Sequence, residues 1–178
     1  SRMWTPSLMS LAANSWFSGR FTEGLPYLEE AVRLAPAGLI FRWGLGNHHA
    51  LLGRWDEAWK NVRWLQEHAA QLPYTSQLGG LVLAAQGHRD EALALLATVD
   101  ETKLDGHHTF HLGESYIVAG EVARGIALLD RGVTMGFYQS DYFERFCPFY
   151  DGIRDREDFQ RMLAHAKRRV ADFVAAVS

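Results

Sequence analysis

Four glycines, Gly19, Gly53, Gly87 and Gly120, stand 34, 34 and 33 residues apart, and around each the chain repeats one short phrase. LGRWDEAW at 52–59 and QGHRDEAL at 86–93 are the clearest copies; SGRFTEGL from Ser18 and AGEVARGI from Ala119 are weaker relatives. A fixed period of this length means one supersecondary unit used repeatedly, each copy needing a neighbour to bury its apolar face. Each glycine lies between segments of helical period. Leu8, Leu11 and Ala12 precede Gly19; Leu25, Leu28, Ala31, Val32 and Leu34 follow it. Glycine in that place ends a helix in the left-handed conformation, which other residues enter at a cost. Asp56-Glu57 and Asp90-Glu91 then fall in the first turn of the next helix, where the dipole favours negative charge. The phrase reads as a tight turn between two helices, used four times.

The periodicity predicts helices over 6–18 and 22–34, 39–52 and 55–71, 75–86 and 89–98, and 107–119 and 122–135, with Pro73 and KLDGHH as loop signals between pairs. Gly24, Ala58, Ala92 and Gly125 share one position of the repeat, which predicts a close helix–helix approach there. In this register the chain resembles the tetratricopeptide-repeat family, whose 34-residue pattern runs W-x2-L-G-x2-Y, then A-x3-F, then A and P. The matches are Leu45-Gly46-x2-His49 with Ala58-x3-Val62, Leu112-Gly113-x2-Tyr116 with Gly125-x3-Leu129, and Leu11-Ala12-x2-Ser15 with Gly24-x3-Leu28, Ala31 and Pro36. The third copy, Gly79-Gly80-x2-Leu83 with Ala92-x3-Leu96, is the most divergent, and the signature tryptophan is missing from all four. The resemblance implies an all-α fold: a right-handed solenoid of four helix pairs over 5–36, 39–73, 75–104 and 107–137, forming one domain with a tail over 138–178.

The tail breaks the period. CPFYDGIRDREDFQRML, 147–163, resembles a segment that follows the last repeat in bacterial members of the family, some of them the C-terminal parts of larger signalling chains. Phe159, Met162, Leu163, Ala166, Val170, Phe173, Val174 and Val177 make one apolar stripe at helical spacing. Such a stripe is expected to be buried as a cap on the open end of the last repeat. Lys167-Arg168-Arg169 lie largely off it, either as a solvated face or as a contact for an acidic partner.

Composition closes several routes. A net charge of −3 gives no basic field for nucleic acid. The single cysteine, Cys147, excludes an internal disulfide framework. No apolar run is long enough to span a bilayer and no signal peptide is visible, so a cytoplasmic location is the expectation. Ser1-Arg2 precede Met3, and the chain reads equally as a fragment of something longer.

Catalytic chemistry finds little support. There is no G-x-S-x-G and no glycine-rich phosphate loop. Among eight histidines, the pairs His107/His111 and His108/His111 share a helical face at a spacing that can hold a metal, but no Glu falls between them as in H-E-x-x-H and only Asp105 or Glu114 stands near enough to complete a ligand set. The expectation is no catalytic residue, no metal and no cofactor, with a histidine-based metal protein or hydrolase as a remote alternative. His49 stands at the family's tyrosine position and reads as a packed core histidine.

The resemblance also implies a site. In the family the first helix of each pair lines a concave surface. Register places Trp16 and Phe17 there from the first pair, Trp43 and Asn47 from the second, Tyr74 and Gln77 from the third, and Phe110 and Glu114 from the fourth. The family's charged carboxylate clamp is represented only by Asn47. The expected function is therefore a non-catalytic protein-interaction module that takes a protein or peptide segment along an aromatic groove. Burial of the same rings against the chain's own helices stays open, as does self-association into a homodimer, as the regulatory part of a larger signalling protein.

Overall fold

The structure, a computed structural model, describes residues 5–177. Its helices are α1 (Thr5–Phe17), α2 (Phe21–Leu34), α3 (Leu39–Leu51), α4 (Trp55–Ala69), α5 (Pro73–Ala85), α6 (Arg89–Leu96), α7 (Gly106–Val118), α8 (Val122–Thr134) and α9 (Glu157–Val177). Each of α1–α2, α3–α4, α5–α6 and α7–α8 packs as a pair, and successive pairs stack.

All four phrase glycines have positive φ: 75° at Gly19, 68° at Gly53, 87° at Gly87 and 84° at Gly120. At each, the next residue's N–H donates to the carbonyl five positions back: Arg20 to Ser15, Arg54 to His49, His88 to Leu83 and Glu121 to Tyr116, at 2.8–2.9 Å. This wraps the helix end and satisfies carbonyls that would otherwise be orphaned. A fifth turn of this kind, at Gly136 (φ 102°), ends α8 and launches the tail.

The small-residue positions are close approaches. A Cβ on Gly113 would lie 2.8 Å from the Gly125 carbonyl oxygen, and one on Gly125 2.6 Å from the Gly113 oxygen, while Ala58 and Ala92 are fully buried. Two sequence readings shift at helix ends. Pro73, read as a loop signal, is the first residue of α5, where its fixed φ suits the helix and its missing N–H costs nothing. KLDGHH is half helix: Asp105 caps α7 by accepting from the His108 N–H at 2.8 Å.

The tail departs furthest from expectation. Its apolar stripe docks only in part: Phe159, Met162, Leu163 and Ala166 are buried where α9 packs on α8, whereas Phe173 and Val177 are 56% and 68% exposed. The reason is length. At 21 residues α9 outruns the 13-residue α8 that it packs on. Lys167 pairs with Glu144 at 2.7 Å and the Arg169 guanidinium lies 5.6 Å over the Tyr138 ring, so two of the three basic residues tie α9 to the segment before it. That segment holds a five-residue π turn (Tyr142–Phe146) and a 3-10 turn (Pro148–Tyr150). It does not cap the end of the array. It runs along the inner helices from the last pair to the first, where Phe146 packs on Gly19.

Candidate partner-binding surface

The inner wall is formed by the first helices of the pairs, α1, α3, α5 and α7. Their side chains interlock through rings and one polar ladder. Trp16 and Trp43 stack with centroids 6.1 Å apart, and His111 sits against both, at 5.0 and 4.8 Å. Trp43 Nε1 donates to Gln77 Oε1 at 2.8 Å, and Gln77 Nε2 donates to Ser115 Oγ at 2.9 Å, which joins α3, α5 and α7. Asn47 turns back to its own helix, its Nδ2 donating to the Trp43 carbonyl at 2.9 Å. Half-buried Tyr74 stacks on His108 at 5.9 Å.

Of the eight residues placed here from sequence, Trp16, Trp43, Asn47, Gln77, Phe110 and Glu114 are each at most 5% exposed, and only Phe17 and Tyr74 keep more surface. The wall has two sides. On the first, Phe110 and Glu114 lie under the tail segment. Phe110 meets Phe137 at 4.5 Å and Tyr142 at 5.7 Å. Glu114 is the polar centre. Its Oε1 accepts from the Tyr142 hydroxyl at 2.9 Å, the Tyr150 hydroxyl at 3.2 Å and the Cys147 thiol at 3.3 Å. Trp16 Nε1 in turn donates to the Tyr142 oxygen at 3.1 Å. With Glu114 ionised, His111 donates from Nδ1 to Glu114 Oε2 at 2.7 Å, and His107 donates from Nε2 to His111 Nε2 at 3.0 Å.

The electrostatics follow from burial. Loss of water pushes the Glu114 carboxyl up to about 7, against the pull of its three tail donors. The same desolvation holds His107 down at about 3, His48 at about 4 and His111 well below its usual range. It drives the Cys147 thiol and the Tyr142 and Tyr150 hydroxyls well above theirs. Cys147 is therefore a thiol donor sealed from solvent, the opposite of an activated nucleophile. Among the described residues no group of three or more His, Cys, Asp or Glu is arranged to hold a metal ion.

On the second side, α1 and α3 leave a cavity of about 200 Å³. Trp16, Phe17, Trp43, Met9 and Ile40 give it an apolar wall, and His48 and His107 supply the polar edges. Gly44 opens the space between the two helices.

Sequence reasoning did not single out Tyr142, Cys147, Tyr150 or His111 as partners of one carboxylate, nor His107 as the partner of His111. Two signals pointed that way. Glu114 is a carboxylate on the packed face of α7, and seven of the fourteen residues from Phe137 to Tyr150 are aromatic.

The tetratricopeptide-repeat family model matches residues 11–60 and 78–139, more than half of the chain. The chain belongs to the tetratricopeptide-repeat family. No curated protein matches it. Among solved structures it is similar to MamA, residues 41 to the end, from Desulfovibrio magneticus RS-1, at 18% identity and a TM-score of 0.50, covering 98% of this chain and 97% of that one. It is also similar to YrrB, a TPR protein with an unusual peptide-binding site, at 17% identity and a TM-score of 0.46, covering 96% and 88%. At 18% identity the likeness to MamA shows the fold alone. Among the described residues no helix is long and apolar enough to cross a membrane.

Proposed function

We propose that this tetratricopeptide-repeat chain is a non-catalytic interaction module that takes a protein or peptide segment on its concave face, and that the segment anchors an apolar side chain between α1 and α3. The observation that carries this reading is the apolar cavity bordered by Trp16, Phe17 and Trp43. Aromatic walls give large contact area and are enriched among binding hot spots. A cavity of about 200 Å³ suits one large side chain rather than a helix or an extended cofactor. The lining carries no Asp, Glu, Lys or Arg, and burial keeps His48 and His107 neutral, so affinity should depend only weakly on salt.

The test uses linear peptides selected on the chain from a random display library. Ala13 borders the cavity and is half-buried, so Ala13→Phe fills the space from its rim. Selected peptides should share an apolar anchor and lose about tenfold or more in affinity for Ala13→Phe, as expected for a hot-spot contact. Peptides that bind both proteins equally would place the site elsewhere.

A second reading, self-association, draws on the uncovered end of α9, where Phe173 and Val177 stand in solvent. Light scattering on the intact chain and on Phe173→Ser tests it: a dimer that the substitution dissolves supports this reading.

A further inference from the structure

We propose that residues 137–150 are a tethered ligand of the concave groove, held in the place of a partner segment and displaced as a unit when a partner brings its own hydroxyl-bearing aromatic side chain to Glu114. The proposal rests on reading the concave face as a binding surface, and it concerns how that surface is regulated.

Three features of the segment are those of a bound peptide rather than of a repeat. First, its main chain is self-contained. After Phe137 its backbone hydrogen bonds are local, such as Phe143 N–H to Gln139, Cys147 N–H to Tyr142 and Tyr150 N–H to Cys147. It can leave without breaking main-chain bonds to α1–α7. Second, its hold on the inner wall is by side chains alone, running from Phe110 on α7 to Trp16, Phe17 and Gly19 at the end of α1, while its other face packs on α9 through Tyr150 against Phe159 and Glu144 with Lys167, so that α9 moves with it. Third, that contact is keyed by polarity. Three donors from the tail converge on one carboxylate oxygen in an otherwise apolar interface. A buried carboxylate left without donors is costly, so Glu114 discriminates between occupants that bring hydroxyl or thiol donors and those that bring only rings.

Tethering explains why the occupant is always present. A segment joined through a short link at Gly136 acts at an effective concentration of roughly millimolar, so a free competitor must reach that level or bind more tightly. A partner that also fills the cavity between α1 and α3 gains the second contact the tail lacks.

Cys147 is the only cysteine and lies on the buried face of the segment, so its alkylation by iodoacetamide reports opening. On the wild-type chain, the labelling rate is measured against urea, beside global unfolding followed by far-UV circular dichroism. Local release predicts labelling with less than about half the urea dependence of global unfolding, because only one segment's surface is exposed. Equal slopes would show that the segment is core, and the proposal fails. Tyr142→Phe with Tyr150→Phe should speed labelling about tenfold or more by removing two donors, with a smaller effect on the circular-dichroism midpoint. The competitor is a synthetic peptide of residues 137–150 carrying Cys147→Ser, added at millimolar concentration. It should speed labelling several-fold, and the same peptide with both tyrosines as phenylalanine should do so less. No acceleration by either peptide, or equal acceleration by both, overturns the competition through Glu114. None of these measurements uses the cavity between α1 and α3, so failure of the peptide-anchor reading leaves them standing and their failure leaves that reading untouched.

Discussion

The two sides of the concave wall are built from the same repeat position and meet different fates. Around Phe110 and Glu114 the chain supplies its own occupant, and around Trp16 and Trp43 it leaves a cavity of about 200 Å³. The filled side carries a buried carboxylate with four donors, whereas the open side is walled by rings and aliphatic chains with two histidines at its edge. An apolar wall can wait for a ligand without penalty. A carboxylate placed where water is excluded needs donors at once, and here the tail brings them.

The comparison breaks first at Trp43, which belongs to both sides: it borders the cavity and holds the Gln77–Ser115 ladder together. At 2% exposure it is core as well as wall. Trp43→Ala should cost about 3–5 kcal/mol, read as a drop in the urea midpoint. A loss below about 1 kcal/mol would make Trp43 a surface ring and the two sides independent.

Glu114→Ala should cost about 3 kcal/mol, since it strands the Tyr142 and Tyr150 hydroxyls and the His111 N–H without an acceptor. Glu114→Gln keeps an acceptor for the tail and a donor for His111, and should cost about 1 kcal/mol or less. Equal costs would mean that the carboxylate is not the key of the filled side.

The pH dependence sharpens the same point. His48 and His107 are held down at about 4 and 3, so the stability from keeping them neutral is full above the unfolded value of 6.5 and is lost as pH falls toward those numbers. Glu114 acts in the opposite sense. Its carboxyl rises to about 7 from 4.5, so its contribution is full below 4.5 and is lost as pH rises through 7. With His111 also depressed, the histidines outnumber the carboxyl, and the chain should lose stability on acidification from pH 6.5 to 4.5. Glu114→Gln removes a group that holds a proton in the folded state but not in the unfolded state over that window. Its acid dependence should therefore be steeper, by about 1.4 kcal/mol per pH unit. Urea midpoints at four pH values decide it; parallel curves would show that Glu114 is ionised throughout.

The smallest effect belongs to the open rim. Ile40 borders the cavity and is 37% exposed, so Ile40→Ser should change stability by about 0.5 kcal/mol or less while weakening peptides selected on the chain. A large loss of stability would show the cavity to be a packing defect of the core rather than a surface.

How much of this was legible in the sequence divides along the same line. The four turns were readable because they are local: a glycine between two apolar-periodic stretches forces a left-handed helix end whatever surrounds it, and Gly19, Gly53, Gly87 and Gly120 have the φ that requires. The all-α repeat and the close approach of Gly113 and Gly125 follow from the same short-range pattern. Register also put Trp16, Trp43, Gln77 and Phe110 on one wall. The path of residues 137–150 was not readable, because seven aromatics in fourteen residues specify that a segment must be buried and not against what. Burial energy is non-directional, so an apolar segment is equally served by the end of the array or by its groove. The choice was made by an encounter between residues up to 126 positions apart, Trp16 with Tyr142, and by the donors of Tyr142, Cys147 and Tyr150 meeting Glu114. Such directional contacts exist only once the first and last repeats have been brought face to face. For the same reason the α9 stripe misled: its period was correct, but the length of the surface it docks on is a property of α8, and that is where Phe173 and Val177 run out of partner.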